Sequence, residues 1–250
     1  MHTKSRSPLR WGVLATLAAL SLFTVMSAAE SPPPLPESFA AALPKKCKQV
    51  LYTVASSQKT TSAQLWMLER VPRKGWQPVQ PAIPVKIGRK GMAWGTGLHP
   101  SRLPSGWRRK KEGDGCTPAG VFKLPAVFGA TQKQRIVRMP YIRCTSHMMG
   151  IDDPKSRYYN QIVDFRDVQM DWGDAELMSD YRGHYNWGIV VGHNPNNIPG
   201  AGSCIFVHIW LGQDIPTAGC TAMSERDIER VITWLDPEKD PHIVQAVVKR

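Results

Sequence analysis

After residues 11–25, fifteen apolar or small positions in a row, the sequence has no second long hydrophobic run. A bilayer span needs roughly 20 such residues, so no transmembrane segment is expected in the rest of the chain. Acid is scarce: 20 Asp+Glu against 32 Lys+Arg give a formal charge of +12, which excludes an acidic disordered chain. No coiled-coil or collagen repeat is present. Metal-ligand spacing is missing as well. His184, His193 and His208 lie at intervals that fit no common ligand motif, so neither a metal nor a cofactor is expected. What remains is 250 residues, 42% hydrophobic, enough for one well-buried domain or two small ones. The 21 prolines and 20 glycines imply frequent turns, and the five cysteines leave at least one outside any intramolecular disulfide.

Lys4, Arg6 and Arg10 precede the apolar run, and Ser27-Ala28-Ala29 follows it. A basic start, an apolar centre and small residues at a cut site predict an exported protein with a signal peptide over residues 1–29. An uncleaved N-terminal anchor is the alternative. Export changes how the charge reads. The basic partners expected are anionic envelope polymers or membrane surfaces rather than nucleic acid. The charge is also uneven. Residues 45–111 hold fifteen basic side chains and one acid, Glu69, whereas residues 152–180 hold eight acids and three basic side chains. Solvated loops and strand faces explain both segments; a polarised surface that orients a charged substrate is the sharper reading.

The Pro-rich stretch 31–36 predicts a stiff extended spacer over residues 30–46, with a single domain over 47–250. From Cys47 the chain reads as short strands. Residues 50–55 and 64–68 are rich in β-formers, with a hairpin turn between them. Further strands are expected at 83–87, 121–124, 189–192 and 204–210, and Pro78, Pro81 and Pro84 push their segment towards an edge or loop. One helix is well marked: Ser224 caps it, Asp227 completes a capping-box pattern, Ile228, Val231, Ile232 and Leu235 share a face, and Pro237 ends it. A weaker helix is expected over 175–181. The fold class is mainly β with one late helix.

The chemistry concentrates in residues 200–224. His208 sits on an apolar strand, and Thr217-Ala218-Gly219-Cys220 forms a turn just before the helix. A histidine fixed on a strand can meet a cysteine on such a turn across a short loop. A thiol needs a neighbouring base to become a nucleophile near neutral pH. Gly219 permits a tight turn that aims the N–H groups of Gly219 and Cys220 at a developing oxyanion. A structural thiol and a satisfied core histidine are the competing reading of the same residues.

At these positions the chain resembles the L,D-transpeptidase catalytic domain family (YkuD-like, or ErfK/YbiS), whose signature is a His, a variable stretch, then Ser or Thr, any residue, Gly and Cys. His208 and Thr217-Ala218-Gly219-Cys220 match it. Residues 112–122, Phe128-Gly129 and residues 200–208 resemble further blocks of the family. The resemblance implies a β-sandwich-like fold and a covalent mechanism. Cys220 attacks the carbonyl of the diamino-acid residue of a peptidoglycan stem tetrapeptide, D-alanine leaves, and an amine resolves the thioester to a 3→3 cross-link. His208 acts as general base and acid, Gly219 contributes its backbone to the oxyanion hole, and Thr217 positions the turn. The partners implied are peptidoglycan stem peptides, and the location is the periplasm or cell wall.

This sequence also departs from the pattern. Ala218 and Ala222 stand where many members carry His and then Arg or Asn, and the His-to-Cys spacing is short. These departures bear on the acceptor, so an L,D-carboxypeptidase that uses water stays open. So does a non-catalytic cationic wall-binding module. A sortase-like enzyme fits less well, because a helix follows the cysteine where a strand bearing Arg is required. Of the remaining cysteines, Cys47, Cys116, Cys144 and Cys204, a Cys116–Cys144 disulfide is the favoured pairing.

Overall fold

A computed structural model describes residues 31–248, apart from residues 174 and 182. The expected signal peptide, residues 1–29, lies outside the described residues. Helix α1 (Glu37–Ala42) comes first, and then β1 (Gln49–Ala55), β2 (Ser62–Val71) and β3 (Gly75–Pro78) form a meander. They are followed by β4 (Ile83–Lys86), β5 (Met92–Trp94), β6 (Thr117–Lys123), β7 (Val127–Gly129) and β8 (Tyr141–Arg143). Three short strands, β9 (Met148–Ile151), β10 (Gln161–Asp164) and β11 (Glu176–Leu177), make a small separate sheet. The chain ends with β12 (Trp187–Val190), β13 (Phe206–Ile209), β14 (Thr221–Met223), helix α2 (Glu225–Trp234) and β15 (His242–Val247).

The main sheet of the described residues has 12 strands in the order β5-β6-β15-β1-β2-β4-β14-β13-β12-β7-β8, with β3 on β2. Both ends of that path feed one apolar cluster: Trp94, Val121 and Phe122 from one end, Val127, Trp187 and Ile189 from the other. A sheet that meets itself across a shared core is the sandwich-like, mainly β arrangement expected. The wholly buried β1, QVLYTVA, runs at its centre between β15 and β2. Continuous β-branched and aromatic burial suits a strand covered on both faces.

Helix α2 follows its sequence signals closely. Ser224 Oγ accepts from the Asp227 N–H, and Ile228, Val231 and Ile232 are buried against the core. Two expectations change. Residues 34–43 are not a free spacer: α1 buries Phe39 against Trp94 and His99, at ring separations of 5.4 Å each, and Tyr52 Oη donates to Pro34 O. Proline set the extended approach, but the apolar residues after it supplied enough burial to hold the segment down. Residues 175–181 form β11 and a turn of 3₁₀ helix (Met178–Tyr181) rather than an α-helix, because pairing to β9 takes the first two residues.

The disulfide expectation is also corrected: all five cysteines are free thiols. Cys144 lies in a second apolar cluster with Phe128, Met178 and Phe206, whereas Cys116 faces the carbonyls of Lys90 and Asp114. Burial pushes the Cys47 and Cys144 thiols up to about 12, so both behave as small apolar side chains. Among the described residues, no helix is long and apolar enough to cross a membrane.

Candidate active site

Strands β13 and β14 are parallel neighbours in the register Val207↔Thr221 and His208↔Ala222. That pairing carries His208 and the turn before β14 to one end of the sheet. His208 and Cys220 both line a cavity of about 330 Å³, together with Thr217, Ala218 and Gly219. Thr217 fixes the turn in two ways: its hydroxyl donates to Cys220 O at 2.6 Å and accepts from the Gly219 N–H at 3.1 Å. Thr117 on β6 donates to the same Cys220 carbonyl at 3.1 Å and accepts from the Gly88 N–H at 2.9 Å. Gly219 is at φ +157°, and a Cβ there would sit 3.1 Å from Cys116 O. Both conditions favour glycine.

The sulfur accepts from the Phe206 N–H at 3.3 Å and lies 3.7 Å from Cys204 O. At rest its partners are therefore backbone groups of the β13 segment and not the imidazole. Burial pushes the Cys220 thiol up to about 12; the Phe206 N–H and the Lys110 charge pull the other way, and the Glu176 charge adds to the rise. His208 is driven down to about 4, chiefly by burial. Its Nδ1–H donates to Ile209 O at 2.8 Å, which leaves the Nε2 lone pair free to take a proton. At rest both groups are therefore neutral, a thiol and an imidazole lining one cavity rather than a preformed ion pair.

The two N–H groups expected at an oxyanion are not equivalent. That of Gly219 is committed to Thr217 Oγ1, whereas the Cys220 N–H has no hydrogen-bond partner among the described residues. Gly219 therefore serves the turn in the resting state.

Several lining residues carried no signal in the sequence. Tyr185 packs edge-on to His208 with ring centroids 5.6 Å apart, contacts Phe206 and Phe128 in the same way, and donates to Glu176 at 3.2 Å. His184 lies 6.4 Å from His208, centroid to centroid, and its Nδ1 shares the Ile209 carbonyl at 3.4 Å. Glu112, also in the lining, accepts from both Tyr159 Oη and Ser203 Oγ. Tyr185 and His184 come from a 3₁₀ turn about 35 residues before Cys220 and Glu112 from about 110 residues before it, so no local spacing announces them; only the upstream 112–122 block hinted at Glu112. Cys204 also lines the cavity, at φ +49° just ahead of β13 rather than inside a strand. His193 is elsewhere: it is buried, with Nε2 bonded to Ala201 O at 3.0 Å.

No curated protein and no solved structure matches the chain significantly. A family model does: that of the L,D-transpeptidase catalytic domain (YkuD) matches residues 62–244, a span that holds β2 through the first half of β15 and every residue of the Cys220 cavity. The chain therefore belongs to the L,D-transpeptidase catalytic domain (YkuD) family.

Proposed function

We propose that this protein is an exported, cysteine-dependent acyltransferase that acts on peptidoglycan stem tetrapeptides. The observation that carries the reading is the placement of Cys220 and His208 on adjacent strand ends in one cavity, with the base end of His208 unencumbered. In the first half-reaction, His208 Nε2 takes the Cys220 proton as sulfur bonds to the carbonyl carbon of the diamino-acid residue. The oxyanion that forms is received by the Cys220 N–H, the unengaged donor of the turn. Collapse breaks the C–N bond, and His208 returns the proton to the departing D-alanine amine. The thioester is then attacked by an amine of a second stem, whose proton passes to His208 and then to the leaving sulfur. The product is a 3→3 cross-link.

To start this sequence the thiol gives up the resting hydrogen bond from Phe206 and turns towards His208 within the cavity that both line. Water as acceptor gives an L,D-carboxypeptidase from the same thioester. The acids Glu112, Asp152 and Glu176 in the lining favour the amine, since they hold a cationic acceptor near the site. Disaccharide-tetrapeptide incubated with the protein tests the reading. Cross-linked dimer with released D-alanine supports transfer, tripeptide alone supports hydrolysis, and no product with either the wild type or Cys220→Ala leaves a binding module.

A further inference from the structure

Arg89 is the feature of the cavity that the acyl-transfer chemistry does not use. Two basic side chains of the described residues, Arg89 and Lys110, line it. Lys110 is buried at 4% exposure and paired, with Nζ donating to Asp114 Oδ1 at 2.6 Å and to Lys111 O at 2.7 Å. Arg89 is exposed, and among the described residues its guanidinium has neither an acidic partner nor a hydrogen bond. Its backbone, by contrast, is held firmly. The Arg89 N–H donates to Thr217 O at 2.8 Å, and the preceding residue, Gly88, donates to Thr117 Oγ1. Thr217 and Thr117 are the two residues whose hydroxyls grip the carbonyl of Cys220. The 88–89 segment is therefore bolted to the nucleophile's turn from both sides. Gly88 is obligatory there, since a Cβ would fall 2.5 Å from Gly115 O. The Arg89 stem lies across Gly115, whose own missing side chain leaves room for it: a Cβ on Gly115 would meet Arg89 Cγ and Nε at 3.3 Å.

A rigidly based, unneutralised guanidinium on the wall that carries the nucleophile is suited to an anion on the substrate. The acids of the lining, Glu112, Asp152 and Glu176, belong to other segments, so the cavity offers one free positive group. We infer that Arg89 binds a carboxylate of the acyl-donor peptide and so makes the enzyme selective for donors that carry one. The inference rests on the stem-peptide reading above. Two donor carboxylates have this chemistry, the C-terminal one on D-alanine and the one on the side chain of a diaminopimelate residue.

The test uses the full chain and three donors: the diaminopimelate tetrapeptide, its C-terminal amide, and a tetrapeptide with lysine in place of diaminopimelate. Wild type, Arg89→Gln and Arg89→Lys are compared by D-alanine (or D-alaninamide) release and by intact mass of the Cys220 thioester. Loss of a charge-assisted pair is expected to raise KM for the parent donor by roughly tenfold to a hundredfold and to leave kcat within a few-fold, with Arg89→Lys recovering part of the effect. The wild-type advantage should vanish with the amide if the C-terminal carboxylate is bound, or with the lysine peptide if the side-chain carboxylate is bound. A KM for Arg89→Gln within twofold of wild type on the parent donor overturns the inference while leaving the function standing. An advantage that survives in both modified donors does the same. A wild type that forms no thioester and releases no D-alanine overturns both. Alkylation of Cys220 by neutral iodoacetamide should proceed at the same rate in all three proteins, which separates a substrate contact from damage to the turn.

Discussion

His208 and Cys220 are tuned in opposite directions by the same burial, and that coupling governs how the protein responds to pH. The imidazole is held down to about 4 from an ordinary 6.5, and His193 is lowered to the same value. The unfolded chain therefore binds protons on both groups before the folded one does. Their contribution to stability is complete above about pH 6.5 and is lost as pH drops towards 4. The acid limb of kcat/KM should follow the free-enzyme base and lie near pH 4 instead of 6.5, measured on the tetrapeptide with a stable buffer series. An acid limb at 6.5 contradicts a buried, neutral His208. Thr217 offers a second residue-scale test. Thr217→Val keeps the shape but removes the donor to Cys220 O and the acceptor for the Gly219 N–H. The buried amide left unpaired costs about 1–3 kcal/mol, and kcat should fall by at least tenfold, a loss that Thr217→Ser restores. An unchanged kcat in Thr217→Val contradicts the proposed hold on the turn.

Among the elements, α2 was legible because its signals are local. Cap, apolar face and terminating proline fall within fourteen residues, and the helix forms where they say. Ser224→Ala removes the oxygen that accepts from the Asp227 N–H and should cost about 1 kcal/mol by urea denaturation. Segments whose fate depends on distant surfaces were not legible. Nothing in residues 34–43 states that Trp94 and His99 will present a pocket for Phe39, so proline content pointed to a spacer. Phe39→Ala should destabilise the domain by about 3 kcal/mol; a change within a few tenths would mean that α1 does not belong to the core. Residues 175–181 failed for the same reason, since pairing to β9 is a tertiary fact.

For the molecule as a whole, the mainly β class followed from alternating and buried apolar segments, but the closure of twelve strands around one core did not, because register and order are set by contacts far apart in sequence. The site divides along the same line. His208, Thr217, Gly219 and Cys220 lie within thirteen residues and were visible as a pattern. Tyr185 and Arg89 reach the cavity from other segments through the sheet's path and could be found only in three dimensions, and Glu112 was hinted at only by its 112–122 block. The cysteines divide by environment at this scale: buried Cys47 and Cys144 are apolar packing, whereas Cys220 lines the cavity that His208 also lines. Alkylation under denaturing conditions without reductant should modify all five cysteines, and labelling of only three would contradict the free thiols. The central claim, that Cys220 carries the acyl group, is tested most directly by intact-mass analysis of the full chain quenched in acid during turnover of disaccharide-tetrapeptide. The account predicts a covalent adduct of the disaccharide-tripeptide mass on Cys220, reversed by hydroxylamine and absent in Cys220→Ala. D-alanine release that persists at the wild-type rate in Cys220→Ala would contradict it.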